Sequence, residues 1–164
     1  MDFKKNRISF ICLTGLFLTT ATTVFAGADS GFYIGGGVGD ATIKDASFDE
    51  SDTAYKVFGG YNIGFIPLVD FAVEASYVDF GGPGDLTGLN AFGLAGLSFG
   101  PFGIFAKAGA INWDSNNDSG SDAAYGLGAR FALGSLSVRA EYEEYDVGNL
   151  SDLSMVSVSA VITF

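Results

Sequence analysis

VDFAVEASYVDFGG, residues 69–82, sets Phe71, Val73, Ala75 and Tyr77 on one face of an extended segment, with a full carboxylate, Glu74, in the middle of the other. A period of two is the mark of a β-strand with unlike faces. The segment therefore needs an environment that accepts apolar side chains on one side and an ionised group on the other. Working outward, the same pattern recurs. Tyr125, Leu127, Ala129, Phe131 and Leu133 oppose Gly126, Gly128, Arg130 and Ala132. Leu136, Val138, Ala140 and Tyr142 oppose Ser137, Arg139, Glu141 and Glu143. Val156, Val158, Ala160, Ile162 and Phe164 oppose Ser157, Ser159 and Thr163. Only LNAFGLAGLSF, residues 89–99, does not declare its faces.

The 164 residues leave room for one domain, and 48% of them are hydrophobic. After residue 26, no run approaches the roughly 20 apolar residues of a membrane-spanning helix. The apolar content is spread through short segments punctuated by Gly, Asp, Ser and Asn, which favours strands. Residues 1–26 read as a secretory signal: Lys4, Lys5 and Arg7 precede the apolar core ISFICLTGLFL, and cleavage is expected after Ala26 or Ala28. Cys12 lies within it, preceded by the bulky Phe10-Ile11, so lipidation is not expected. The mature domain, 27–164, would then have no cysteine and no disulfide.

Beyond the signal, 18 acidic residues face five basic ones: Lys44, Lys56, Lys107, Arg130 and Arg139. Nucleic acid is excluded as a partner, because phosphate contacts need clustered Lys and Arg. Most of the acids fall in four long polar stretches, at 40–52, 79–90, 113–123 and 143–153. These alternate with tight links at 64–69, 99–102 and 134–135. Seven connections imply eight strands, read as 31–40, 53–64, 69–79, 89–99, 102–113, 123–133, 136–145 and 154–164. Each is near the nine to eleven residues of a tilted transmembrane strand. Long loops at one end and short turns at the other characterise outer-membrane barrels. The expectation is an all-β, eight-stranded, antiparallel up-and-down transmembrane β-barrel, with four polar loops outside and both termini on the periplasmic side.

On this parity Lys56, Glu74, Lys107, Arg130, Arg139 and Glu141 all point away from the apolar faces. A Lys or Arg on the lipid side costs about 2–4 kcal/mol near the bilayer midplane. Facing inward, these groups are expected to form an ion-pair network plugging a lumen just wide enough for side chains to fill. Inward glycines at 35, 37, 39, 126 and 128 leave room for long ones. The two-residue link Gly134-Ser135 sets Arg130 opposite Arg139, which demands a carboxylate beside them. Glu74 and Glu141 are the candidates.

YKVFGGYNIG followed by VDFAVEASYVDFG resembles the second and third strands of the OmpA-type eight-stranded transmembrane domain. GFYIGGGVG resembles its first strand, FGIFAKAGAINW its fifth and VRAEYEEY its seventh, so the likeness covers nearly all of the mature chain. It implies a charged interior cluster, with Glu74, Lys107, Arg139 and Glu141 at matching positions. Two departures are evident: Arg130 stands where an inward acid is expected, and the fourth strand has no inward Lys. The chain stops at Phe164, so a barrel without the periplasmic peptidoglycan-binding domain of full-length members is expected. The alternating SVSAVITF, with its terminal Phe164, resembles the signal read by the barrel-assembly machinery of Gram-negative bacteria.

The absence of His removes the Ser–His–Asp, Cys–His and His–metal arrangements. Glu143 and Glu144 point to opposite faces as strand neighbours and read as rim charges rather than an acid–base pair. DSNNDSGSD at 114–122 has its glycine seventh rather than sixth and no closing Glu, so it reads as a solvated loop rather than a calcium site. GGGVG precedes no helix and is not a phosphate loop. No enzyme activity, cofactor or metal is expected. The expected partners are outer-membrane lipid and lipopolysaccharide, the assembly machinery, and a host or phage surface ligand. Two functions stand: a structural, surface-interaction barrel of the bacterial outer membrane, or a narrow porin-like channel for ions or small solutes. A secreted, soluble lipocalin-like barrel is the third reading; there the apolar faces would point inward.

Overall fold

The computed structural model describes residues 30–45, 48–81, 86–115, 118–146 and 153–164, so the signal read at 1–26 lies outside the described residues. Eight strands follow in order: β1 Gly31–Asp45, β2 Phe48–Ile66, β3 Val69–Asp79, β4 Thr87–Phe99, β5 Phe102–Ser115, β6 Asp118–Leu133, β7 Leu136–Tyr145 and β8 Leu153–Thr163. Each pairs antiparallel with the next, and β1 pairs with β8 to close the barrel. Closure removes the open sheet edge, which is why a barrel is one of the two architectures that cross hydrocarbon.

Three tight turns, Pro67-Leu68, Gly100-Pro101 and Gly134-Ser135, share one end with Gly31 and Phe164. Gly100 and Gly134 take φ of 62° and 66°, where a Cβ is disfavoured. At the other end, two polar stretches expected to be loops are strand. β1 and β2 stay paired as far as Asp45↔Phe48, and β5 and β6 as far as Ser115↔Asp118. The polar residues 40–45 and 48–52, and 113–115 and 118–123, thus extend two hairpins beyond their neighbours, and β2 reaches 19 residues. The outward faces of these strand ends carry Asp40, Asn112, Asp114, Ser119 and Ser121, so composition alone reads as loop. The β3–β4 and β7–β8 connections run between Asp79 and Thr87 and between Tyr145 and Leu153.

β4 settles its faces through register. Phe92 pairs across from Glu74 and Leu94 from Lys107, so Asn90, Phe92, Leu94 and Ser98 turn inward while Leu89, Ala91, Gly93 and Ala95 turn out. Around the barrel, the outward faces carry exposed Val57, Val73, Leu89, Leu127, Val138 and Val158. Exposed Tyr55, Tyr77, Tyr125 and Tyr142 stand nearer the long-hairpin end, and Phe32, Phe71, Phe99, Phe102, Phe131 and Phe164 nearer the short-turn end. An apolar band between two aromatic girdles is the lipid-facing pattern of an outer-membrane barrel.

Candidate functional site

The interior holds the polar groups that this outer wall excludes. Lys56 on β2, Glu74 on β3, Lys107 on β5, and Arg139, Glu141 and Glu143 on β7 are all buried. Strand alternation aims them inward, and their heights in the barrel bring them together at its middle. Glu141 is the hub: its Oε1 lies 2.8 Å from both Lys107 Nζ and Arg139 Nη2, and its Oε2 lies 2.6 Å from Lys56 Nζ. Glu143 is ion-paired with the same two lysines: its Oε2 accepts from Lys56 at 2.7 Å, and its Oε1 lies 2.7 Å from Lys107 Nζ. Glu74 Oε2 accepts from Arg139 Nη1 and from the Tyr33 hydroxyl, both at 2.8 Å, and its Oε1 lies 3.6 Å from Lys107.

Charge balance explains how six ionised groups stay in a space that largely excludes water. Three cations (Lys56, Lys107, Arg139) meet three anions (Glu74, Glu141, Glu143), so the cluster is neutral. Each ion loses several kcal/mol of hydration on burial, and only close, multiply hydrogen-bonded partners offset that. Aromatic faces add to the offset. The Arg139 guanidinium lies 4.6 Å from the Phe105 ring centre and 4.8 Å from that of Phe58, and Lys107 Nζ lies 4.6 Å from that of Phe92. Two of these rings lie over glycine: a Cβ at Gly35 would strike Phe58, and one at Gly128 would strike Phe105. Space left by the inward glycines is therefore filled by aromatic rings as well as by charged chains.

Of the six residues singled out from the sequence, five meet in this cluster and Arg130 does not. Although Arg130 pairs directly across from Arg139, its guanidinium turns to the short-turn end and bonds Asp70 and Ser98. Asp70 also accepts from the Ser98 hydroxyl. The two arginines thus divide the available carboxylates, with Glu74 and Glu141 going to Arg139 and Asp70 to Arg130. Asp70 was not anticipated, since it stands next to a turn where an acid ordinarily meets water. Glu143 is a correction: read as a rim charge, it is fully buried and bridges Lys56 and Lys107, while Glu144 is exposed.

Apolar clusters flank the ion pairs on both sides, alongside the Arg130–Asp70–Ser98 group at the short-turn end. Val78, Phe80, Ile111, Tyr145, Leu153 and Met155 pack together toward the long-hairpin end, with Phe80 edge-on to Tyr145 at 5.1 Å. Tyr33, Phe58, Ala72 and Val161 form a smaller cluster toward the short-turn end. Among the described residues, no three His, Cys, Asp or Glu side chains are arranged to hold a metal ion.

A sequence family described as outer membrane protein beta-barrel domain matches residues 8–164. No curated protein matches. Solved structures similar to this chain include Neisserial surface protein A, at 16% identity and TM-score 0.56 over 83% of this chain and 99% of that one. The attachment invasion locus protein Ail of Yersinia pestis is similar at 17% identity and TM-score 0.58, covering 82% and 99%. The N-terminal β-barrel domain of Pseudomonas aeruginosa OprF is similar at 13% identity and TM-score 0.59, covering 84% and 99%. At these identities the likeness is one of fold.

Proposed function

We propose, for a chain that belongs to the outer membrane protein beta-barrel domain family and resides in the bacterial outer membrane, a structural and surface-interaction role without catalysis. The observation that carries this reading is the filled interior. Among the described residues, paired charges at mid-height and apolar side chains above them occupy the lumen, which supports a barrel closed to solutes. The barrel then serves as a rigid mount for the outer ends of its strands, where partners are met. Residues 1–26 would direct export. Phe164 would present the assembly signal to the barrel-assembly machinery, and the apolar band would be solvated by outer-membrane lipid, with lipopolysaccharide around the outer rim.

The chemistry of the outer end restricts the surface ligand. Ail has been crystallised with the heparin analogue sucrose octasulfate. Here four of the five basic residues beyond the signal are committed to interior ion pairs, while Asp40, Asp79, Asp114, Glu144 and Asp146 are exposed at the outer end. Such a surface repels polyanions and suits cationic ligands or anionic lipid bridged by divalent ions. Planar-bilayer recording of the purified barrel tests the main reading. A quiet membrane supports it, and steady ohmic current supports the narrow-channel alternative instead.

A further inference from the structure

Solvent access along the lumen is graded. At the short-turn end, the Arg130 and Asp70 side chains are 24% and 20% exposed. Arg139, further in, is 6% exposed, and Lys56 and Glu141 beyond it 1% and 0%. At the long-hairpin end the apolar cluster is closed, with Val78, Ile111, Leu153 and Met155 all at 0%. A cavity of about 50 Å³ opens among Asn62, Asp70, Arg130, Ser137, Arg139 and Thr163, room enough for water. From it, polar atoms without hydrogen-bond partners run up the β7–β8 wall at Arg139 Nε, Ser159 Oγ and Ser157 Oγ, with Glu143 Oε1 and the Tyr145 hydroxyl further on at the base of the apolar cluster. Register sets Ser159 beside Arg139 and Ser157 beside Glu141. Buried donors and acceptors of this kind are ordinarily satisfied by water. Beyond Ser157 on β8 come Met155 and Leu153, which offer none.

We propose that the lumen is a blind vestibule, wetted from the periplasmic end as far as Ser157 and closed to the outside by the apolar stopper around Met155. The stopper, not the ion-pair network, is the seal against the exterior. This rests on the closed-lumen reading and adds to it a direction of access and a location for the barrier. At about 50 Å³ the vestibule takes water and small inorganic ions and is too small for larger solutes. Removing an ion pair deepens it without opening it, because the stopper remains above. Weakening the stopper joins the wetted line to the outer face.

Thiol reactivity tests the direction. In the full chain carrying Cys12→Ser, each introduced cysteine is the only one. Ser137→Cys and Ser159→Cys mark the vestibule and Ala54→Cys the stopper, each in proteoliposomes whose barrel orientation is fixed by protease access to the outer loops. Silver ion, a small bilayer-impermeant thiol probe, is added to one face at a time, and the unreacted thiol is then counted with a maleimide after unfolding. Ser137→Cys and Ser159→Cys should react from the periplasmic face only, and Ala54→Cys from neither. Adding Arg139→Ala should leave Ser159→Cys protected from the outer face, whereas adding Val78→Ser with Met155→Ser should expose it there. Reaction of Ser159→Cys from both faces in the otherwise unaltered barrel, or from neither, overturns the proposal, as does outer-face reaction produced by Arg139→Ala alone. Steady current through the unaltered barrel would instead remove the closed-lumen reading beneath it.

Discussion

Glu143 and Glu144 are adjacent carboxylates with opposite surroundings, and the difference decides what each substitution does. Glu143→Ala leaves three buried cations facing two anions, with Lys56 and Lys107 each deprived of a 2.7 Å partner. Breaking a buried pair from one side costs about 3–5 kcal/mol, because an uncompensated charge stays behind. The urea midpoint for unfolding from lipid vesicles should therefore fall well below that of the unaltered barrel, while Glu144→Ala, exposed to solvent, should leave it nearly unchanged. Replacing Glu143 together with Lys56 by apolar residues should recover much of the loss, since neutrality returns. Parity alone already places Glu143 with the inward residues; what parity cannot supply is height. In a tilted, staggered barrel, the level of a side chain depends on register around the whole sheet. A residue bordering a polar stretch therefore reads as rim although it sits in the middle of the lumen. Asp70 is the converse, an acid beside a turn that finds its cation on β6, three strands away.

At the level of strands, legibility followed the presence of two unlike faces. β3, β7 and β8 alternate cleanly and were readable nearly to their ends. β4 was not, because Ala91, Gly93, Ala95 and Gly96 are small on both faces and Phe92 and Leu94 face inward, packing against the apolar parts of the lumen. The outer ends of β1, β2 and β6, and the last two residues of β5, were lost because their sequence is dominated by Asp, Ser, Thr and Gly, with apolar residues such as Ile43 too sparse to show a face. The glycines of the inner wall carry a sharper message. Gly128 lies under the Phe105 ring, which in turn lies beneath Arg139. Gly128→Ala should lift the ring into the ion-pair cluster at a penalty of about 1–3 kcal/mol from overpacking. Gly93→Ala, outward-facing with its nearest neighbour 4.0 Å from the added Cβ, should be tolerated. Equilibrium unfolding of the two variants separates the inner wall from the outer. Where β3 meets β6 through Asp70 and Arg130, the pair is partly solvated, so a double-mutant cycle with Asp70→Asn and Arg130→Gln should return a coupling of only about 1 kcal/mol.

Taken whole, the molecule sorts its charges by shell. Interior cations and anions cancel in the central cluster and again at Arg130 with Asp70, the lipid-facing band holds neither, and the excess of acids collects at the outer end. This sorting lets a chain with 18 acidic and five basic residues beyond the signal sit in a bilayer, because among the described residues none of the excess faces the lipid band. It also makes neighbouring residues on one strand respond oppositely to the same chemistry. Lys107 is a required cation inside, whereas Ala108, one residue on, faces out beside Gly93 and Tyr125. Ala108→Arg would put a cation in the band between the tyrosine and phenylalanine girdles, where the expected penalty is about 2–4 kcal/mol at the midplane. The same change at Asn112, four residues nearer the outer end on that face, should cost markedly less, because the penalty falls toward the interface. Urea titration of both variants in vesicles measures the difference. A larger loss for Ala108→Arg than for Asn112→Arg locates the hydrocarbon against the outer wall, and equal, small losses would mean that this wall meets water.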